Sequence, residues 1–188
     1  MHMLSYLSTK GTAAIVQFPG VLYRGGAEQK IRKYMVDSNF VDTVIQLPSD
    51  LFFGTSIATC ILVLKKSKKT NDILFIDASN EFVRNTNKNK LTTPDDNPED
   101  NNVDNILKLI KDRTNVENKS IVISNEEVAN NDYNISVNSY LKASTEKNKI
   151  DIKEVNKKIV EVVKRESEIR IELDKIIQEL EEDSYEQD

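Results

Sequence analysis

The sequence predicts an α/β fold with a helical appendage, and three features carry that prediction. Short, almost continuous apolar runs alternate with a helical spacing over the first eighty residues or so, the pattern of strands covered on both faces. A polar, proline-containing stretch follows, and then a second, smaller strand-and-helix pattern. Finally, apolar residues recur at alternate steps of three and four from Ile152 to Leu180, which marks a long amphipathic helix.

Taken in order, Thr12 to Phe18 reads as a buried strand ended by Pro19-Gly20. Gly25-Gly26, read as a simple turn, opens a helix with Ile31, Tyr34 and Met35 at helical offsets. Val41 to Leu47 is a second strand, stopped by Pro48, and Ser56 to Leu64 a third that ends in lysines. Ile73 to Ile76 is a fourth, and Asp77 at its end reads as a cap or a ribose-binding carboxylate. From Asn85 to Asn102 the apolar pattern vanishes, and a chain so polar cannot offset its ordering entropy, so a long mobile loop is expected. Ile106, Leu107 and Ile110 mark a short helix, and Ser120 to Ser124 a further strand. Ser124 then N-caps a helix that ends before Asn130.

The last segment is the most regular. Eight of nine heptad core positions are apolar: Ile152, Val155, Ile159, Val162, Ile169, Leu173, Ile176 and Leu180, with Glu166 as the exception. A helix of roughly 30 residues reaches about 45 Å, longer than a modest domain can cover, so a partner helix is expected on the stripe. Packing on its own domain is the alternative. The expected boundaries are 1–84 for the sheet, 85–102 for the loop, 103–149 for the small α/β segment, 150–183 for the helix and 184–188 for a tail.

Composition excludes several functions. The 188 residues hold one cysteine, Cys60, and one histidine, His2, so a Ser-His-Asp triad, a Cys-His dyad or a zinc knuckle lacks the residues it needs. Cys60 falls inside an apolar strand and reads as core. No metal site is expected. No apolar run approaches the ~18 residues that a membrane helix requires, and no secretory signal is legible, so a cytoplasmic chain is expected. The formal charge of −5 is unevenly spread. Residues 1–70 carry nine basic and four acidic groups, whereas 71–141 carry seven and thirteen. The basic first part suits a nucleic-acid face, and equally suits ordinary solvated lysines.

One string is far more specific than composition. Residues 11–66 read GTAAIVQFPGVLYRGGAEQKIRKYMVDSNFVDTVIQLPSDLFFGTSIATCILVLKK. The AAIV-x-x-P-x-x-x-L-x-R-G-G opening and the LP-x-x-LFF-x-TSI-x-T-x-ILVLKK ending resemble the region after the catalytic motif in modification (methyltransferase) subunits of type I restriction-modification systems. Asn131 to Val137, NDYNISV, resembles a further segment of that family. The resemblance covers about residues 10–141 and, more loosely, the terminal helix. It implies the carboxy-terminal half of a Rossmann-like, S-adenosylmethionine-dependent methyltransferase sheet followed by a long C-terminal helix. The implied activity of the full-length subunit is methyl transfer to adenine N6 in DNA.

The chain departs from the family pattern in two places. It has no DPACGTG-like glycine-rich segment for the cofactor and no Asn-Pro-Pro-[Phe/Tyr] motif for the adenine amino group, since its one Asn-Pro, Asn97-Pro98, leads into Glu99-Asp100. A fragment that is inactive alone is therefore expected, with no catalytic or cofactor-binding residue of its own. The resemblance does place an aromatic just before the final hairpin strand, to stack on a flipped base. Phe52 and Phe53 occupy that loop, Phe52 five residues before Ile57. Which ring stacks is open, and core anchoring of both is the alternative. The implied partners are DNA, a specificity subunit and a restriction subunit, with self-association through the terminal helix when these are absent. A non-enzymatic interaction module on an α/β scaffold is the competing reading.

Overall fold

The computed structural model describes residues 1–86, 88–141 and, in the last segment, 156, 159–167, 169–171, 173, 174 and 177. It divides into two units, Met1–Ser144 and Thr145–Asp188.

In the first unit a short helix α1 (His2–Tyr6) precedes strand β1 (Thr12–Gln17), a 3-10 turn (Pro19–Leu22) and helix α2 (Ala27–Asp37). Strands β2 (Val41–Gln46), β3 (Cys60–Lys65) and β4 (Asp72–Asp77) follow, then a small ribbon of β5 (Val83–Asn85) and β6 (Lys88–Lys90). Helix α3 (Asn102–Asp112), strand β7 (Ser120–Ser124) and helix α4 (Asn125–Asn130) close the unit. The five main strands form one mixed sheet in the order β1-β3-β2-β4-β7. β2 and β4 are parallel, and β3 lies antiparallel to both β1 and β2, so β1, β2 and β4 run the same way.

Strand periodicity explains the two cores. Side chains alternate across a sheet, and along β4 Ile73 and Phe75 enter one apolar cluster while Leu74 and Ile76 enter another. The first cluster also takes Met35 and Val36 of α2, Val128 of α4, and Ile135 and Val137. The second takes Ile106 of α3 with Leu109 and Ile110. Both faces are therefore covered, and central β2 is buried at every position.

Register changes once. Val41 pairs with Leu64 but Thr43 with Val63, leaving Asp42 as an extra residue. This bulge lets Val41 and Val44 join the same cluster and turns a carboxylate into a buried setting, with the Asp42 side chain only 5% exposed.

Several elements differ from expectation. β1 is not a buried strand: it lies at an edge of the sheet and alternates exposed with half-buried residues. α2 buries Arg32, Met35 and Val36, while Ile31 and Tyr34 face outward, because α2 is rotated from the face its large apolar residues suggest. Arg32 is tolerated there because Nε donates to the Tyr133 carbonyl at 2.8 Å and an Nη donates to that of Val21 at 2.9 Å. β3 starts at Cys60 rather than Ser56, and Ile57 is exposed. The polar stretch 85–102 is not one unbroken loop. It contains β6, a turn in which the Asp96 carboxylate accepts from Thr93, and the α3 N-cap, where Asn101 accepts from the Asp104 amide. Such bonds order a segment that has almost no apolar surface to bury. Other features stand as read. Ser124 caps α4 by accepting from the Glu127 amide, and α4 runs one residue further than expected, to Asn130. Asp77 caps a turn through the Ser79 amide. Cys60 is fully buried, and burial pushes its thiol up to about 11, which makes it unreactive.

Candidate functional site

Open α/β sheets bind ligands beyond the carboxyl ends of their parallel strands. Here the carboxyl ends of β1 and β2 meet the start of β3: Gln17 and Gln46 both pair with Cys60. The loop between β2 and β3 rises from this end, clamped at its base by the Leu47 amide donating to the Thr59 carbonyl at 2.8 Å. Leu51 packs into the second apolar cluster, and the two residues after it turn outward. Gly54 follows at φ +79°, a conformation that a residue with a Cβ rarely adopts, and this reverses the chain directly after Phe53.

Phe52 is 39% exposed and Phe53 97% exposed, and neither belongs to an apolar cluster. Core anchoring therefore does not account for Phe53. Both rings line a cleft whose other walls are Val16, Gln17, Phe18, Thr55 and Thr59. Phe18, immediately after β1, is 56% exposed. Leaving a phenyl ring in water forgoes roughly 1.5–3 kcal/mol of burial, so three rings around one cleft mark a surface shaped for contact. At the back of the cleft Thr59 is 4% exposed, and its hydroxyl has no hydrogen-bond partner. Beside the cleft, the Lys88 ammonium lies 4.4 Å from the Phe53 ring centroid.

No residue lining this cleft is titratable. The cleft therefore offers aromatic surface and an uncommitted hydroxyl, with no acid or base for proton transfer. Among the described residues, no group of three or more His, Cys, Asp or Glu could hold a metal ion.

Sequence reasoning named Phe52 and Phe53, both of which line this cleft, and did not name three residues in or beside it. Phe18 carried a usable signal, a large aromatic between a strand end and Pro19-Gly20. Thr59 was hidden inside an expected strand. Lys88 had no signal, since it lies 36 residues away in the stretch expected to be a loop.

In the second unit, every described residue is helical and exposed. Ile159, Val162, Ile169 and Leu173 of the heptad stripe are each more than half exposed, and Glu166 is exposed with them. Val160, Val163, Ile171 and Ile177 are also exposed, so the apolar surface is broader than the heptad positions alone. Ile152, Val155, Ile176 and Leu180 lie outside the described residues.

Residues 1–149 match a family model described as N-6 DNA Methylase. The chain is 44% identical over 181 residues to the type I restriction enzyme MpnII methylase subunit of Mycoplasma pneumoniae, covering 96% of this chain and 32% of that protein. It is 35% identical over 158 residues to the type I restriction enzyme MjaVIII methylase subunit of Methanocaldococcus jannaschii, covering 82% and 26%. Among solved structures, the methyltransferase subunit of a type I restriction-modification system from Streptococcus thermophilus superposes with a TM-score of 0.69 at 38% identity, covering 74% of this chain and 29% of that one. The chain thus spans about a third or less of the length of the curated relatives it matches.

Proposed function

This chain belongs to the N-6 DNA methylase family, and from that premise we propose that it supplies the base-receiving end of an adenine-N6 DNA methyltransferase subunit of a type I restriction-modification system. The observation that carries the reading is the exposed Phe52–Phe53 loop beside Phe18, at the carboxyl ends of β1 and β2. An adenine inside duplex DNA is out of reach of any active site, so the enzyme must swing it out of the stack and hold it. The cleft offers rings for that purpose, and base–aromatic stacking contributes roughly 1–3 kcal/mol per base elsewhere. Phe52, the less exposed of the pair and next to inward-facing Leu51, is the stacking ring.

The methyl donor of such a subunit is S-adenosylmethionine, and the described residues do not fit it. A cofactor cradle needs glycines where backbone and ligand approach closely. A Cβ built at Gly25, Gly26 or Gly54 meets nothing within 4 Å, and those at Gly11 and Gly20 have side-chain atoms of Leu7, Ser8 and Arg24 as their nearest neighbours. The sequence has neither the glycine-rich segment nor the Asn-Pro-Pro motif. The role of these residues is to receive and orient the base. Donor binding and amino-group activation fall to residues that this chain does not contain.

The experiment is Phe52→Ala in the complete methyltransferase, assayed on a normally paired target and on one opposite an abasic site. Methylation should fall about tenfold or more on the paired target and much less on the unpaired one, because stacking helps to offset a flipping cost that is smaller there. Equal losses on both, with a lowered Tm, would make Phe52 a packing residue.

The terminal helix carries a second role in this reading, docking of the specificity subunit and through it the restriction subunit. Its exposed Ile159, Val162, Ile169 and Leu173 support this, as does Glu166, a core-position carboxylate suited to pairing with a basic or amide group that sets register. Ile159→Asp combined with Ile169→Asp should abolish co-purification with the specificity subunit, and should abolish the chain's self-association in that subunit's absence. Undiminished complex formation would refute the docking role.

A further inference from the structure

We propose that the β5–β6 ribbon is the positioning element of the aromatic loop, with Lys88 as its principal residue. The inference rests on the reading of that loop as a base-stacking loop. Two strands of three residues each cannot sustain themselves in water. Of the six residues in this ribbon only Asn89 is buried, and no apolar side chain of the ribbon is buried.

What holds the ribbon is the loop it faces. The Asn89 amide donates to the Asp50 carbonyl at 3.1 Å, and its side-chain nitrogen donates to the Ser49 carbonyl at 2.8 Å. Lys88 Nζ donates to the Phe52 carbonyl at 2.9 Å and lies 4.4 Å from the centroid of the Phe53 ring. A single ammonium thus touches both consecutive phenylalanines, one through its backbone and one through its ring face.

The dependence is mutual, because the loop has little to hold itself. Above the clamp at its base, where the Leu47 amide donates to the Thr59 carbonyl, its internal bonds are a long one from the Asp50 amide to the Ser56 carbonyl, at 3.4 Å, and one from the Ile57 amide to the Thr55 hydroxyl. Leu51 and Leu91, next to the contact on either side, anchor it to the same apolar cluster. A stacking ring is useful only when it stands in place before the base arrives. Lys88 supplies that placement for Phe52 and Phe53, and it neither donates nor accepts a proton in the reaction.

Two measurements test this. In the first, amide hydrogen exchange is followed on this 188-residue chain. Lys88→Met should speed exchange at Asp50 and Asn89 about tenfold while leaving β2 and β4 protected. Unchanged exchange would overturn the proposal. The second follows methylation by the complete enzyme. Lys88→Met should lower kcat about tenfold on a paired target and less than about twofold on one opposite an abasic site, with Lys88→Arg restoring most of the rate. Equal losses on both targets, together with a shallower salt dependence of DNA binding, would make Lys88 a phosphate contact and overturn the positioning role. Phe52→Ala, measured alongside, separates the two possible failures. If it shows the paired-target effect and Lys88→Met does not, the role of the ribbon alone falls. If Phe52→Ala shows no such effect, the stacking reading falls, and this inference falls with it.

Discussion

Arg113→Met should destabilise the first unit by about 2–3 kcal/mol while leaving the aromatic cleft intact. Arg113 follows α3 in a left-handed conformation, φ 44° and ψ 46°, and methionine there bears the same backbone strain. Its guanidinium donates to Asp42 at 3.3 Å and to Asp72 at 2.6 Å. The two arms differ in value. Asp42 is the bulge residue of β2, with a side chain 5% exposed, whereas Asp72 is 28% exposed. Breaking a fully buried pair costs about 3–5 kcal/mol because it strands a charge. Asp42 keeps Lys65 at 3.1 Å and the Thr43 hydroxyl at 2.8 Å, so about half of that cost is expected. The Asp72 arm, partly screened by water, adds less than about 1 kcal/mol. For a unit of this size the sum corresponds to a Tm lower by about 5–10 °C. Urea unfolding gives the free energy directly, and a double-mutant cycle with Asp42→Asn should show a coupling of about 1–2 kcal/mol. Lys119→Met provides the control: its pair with Glu81 at 3.3 Å has Lys119 57% exposed, and its loss should cost under about 0.5 kcal/mol. An Arg113 variant indistinguishable from that control would refute the reasoning, since the buried carboxylate would then owe nothing to the cation.

Lys68 reports on the same cluster through pH. Burial pushes its ammonium down to about 8, opposed by Asp72 and Asp42 and reinforced by Arg113 and Lys65, while Nζ donates to the Val41 carbonyl at 2.7 Å. The unfolded chain keeps that proton up to about pH 10.5, so it binds more protons than the folded chain between about pH 8 and 10.5, and this group makes stability rise with pH across that window. Lys68→Met should flatten the rise by on the order of 1–2 kcal/mol after solvent screening, read as the difference between urea midpoints at pH 7.5 and 10; parallel curves for the two proteins would discard the assignment. Thr59→Val should raise stability by about 1 kcal/mol, because it deletes a buried hydroxyl that has no partner and keeps the shape. A loss of similar size in thermal unfolding would show that the hydroxyl is bonded after all.

The elements readable from sequence are those whose information is local. Asp72–Asp77 and Ser120–Ser124 read as strands because their apolar residues run without interruption between polar ends, and Val41–Gln46 reads as one from its apolar Val41, Val44 and Ile45 despite Asp42 and Thr43 between them. Ser124 acts as a cap because its hydroxyl reaches an amide three residues on. The aromatic loop was legible through the long family-like string around it. The tertiary structure alone decided what depends on which surfaces meet. Helical spacing groups the residues of α2 into faces but does not say which face turns inward, and the buried one contains Arg32 because two carbonyls, from Val21 and Tyr133, await it. An apolar run in β1 reads the same at an edge as at the centre, since exposure is set by the missing neighbour. The β5–β6 ribbon has no periodic apolar signal at all, because side-chain bonds to carbonyls 36 and 40 residues away hold it. Phe18 and Thr59 join Phe52 and Phe53 because the strand order brings the carboxyl ends of β1 and β2 to the start of β3, and Lys88 joins them through the ribbon; no spacing along the chain encodes either.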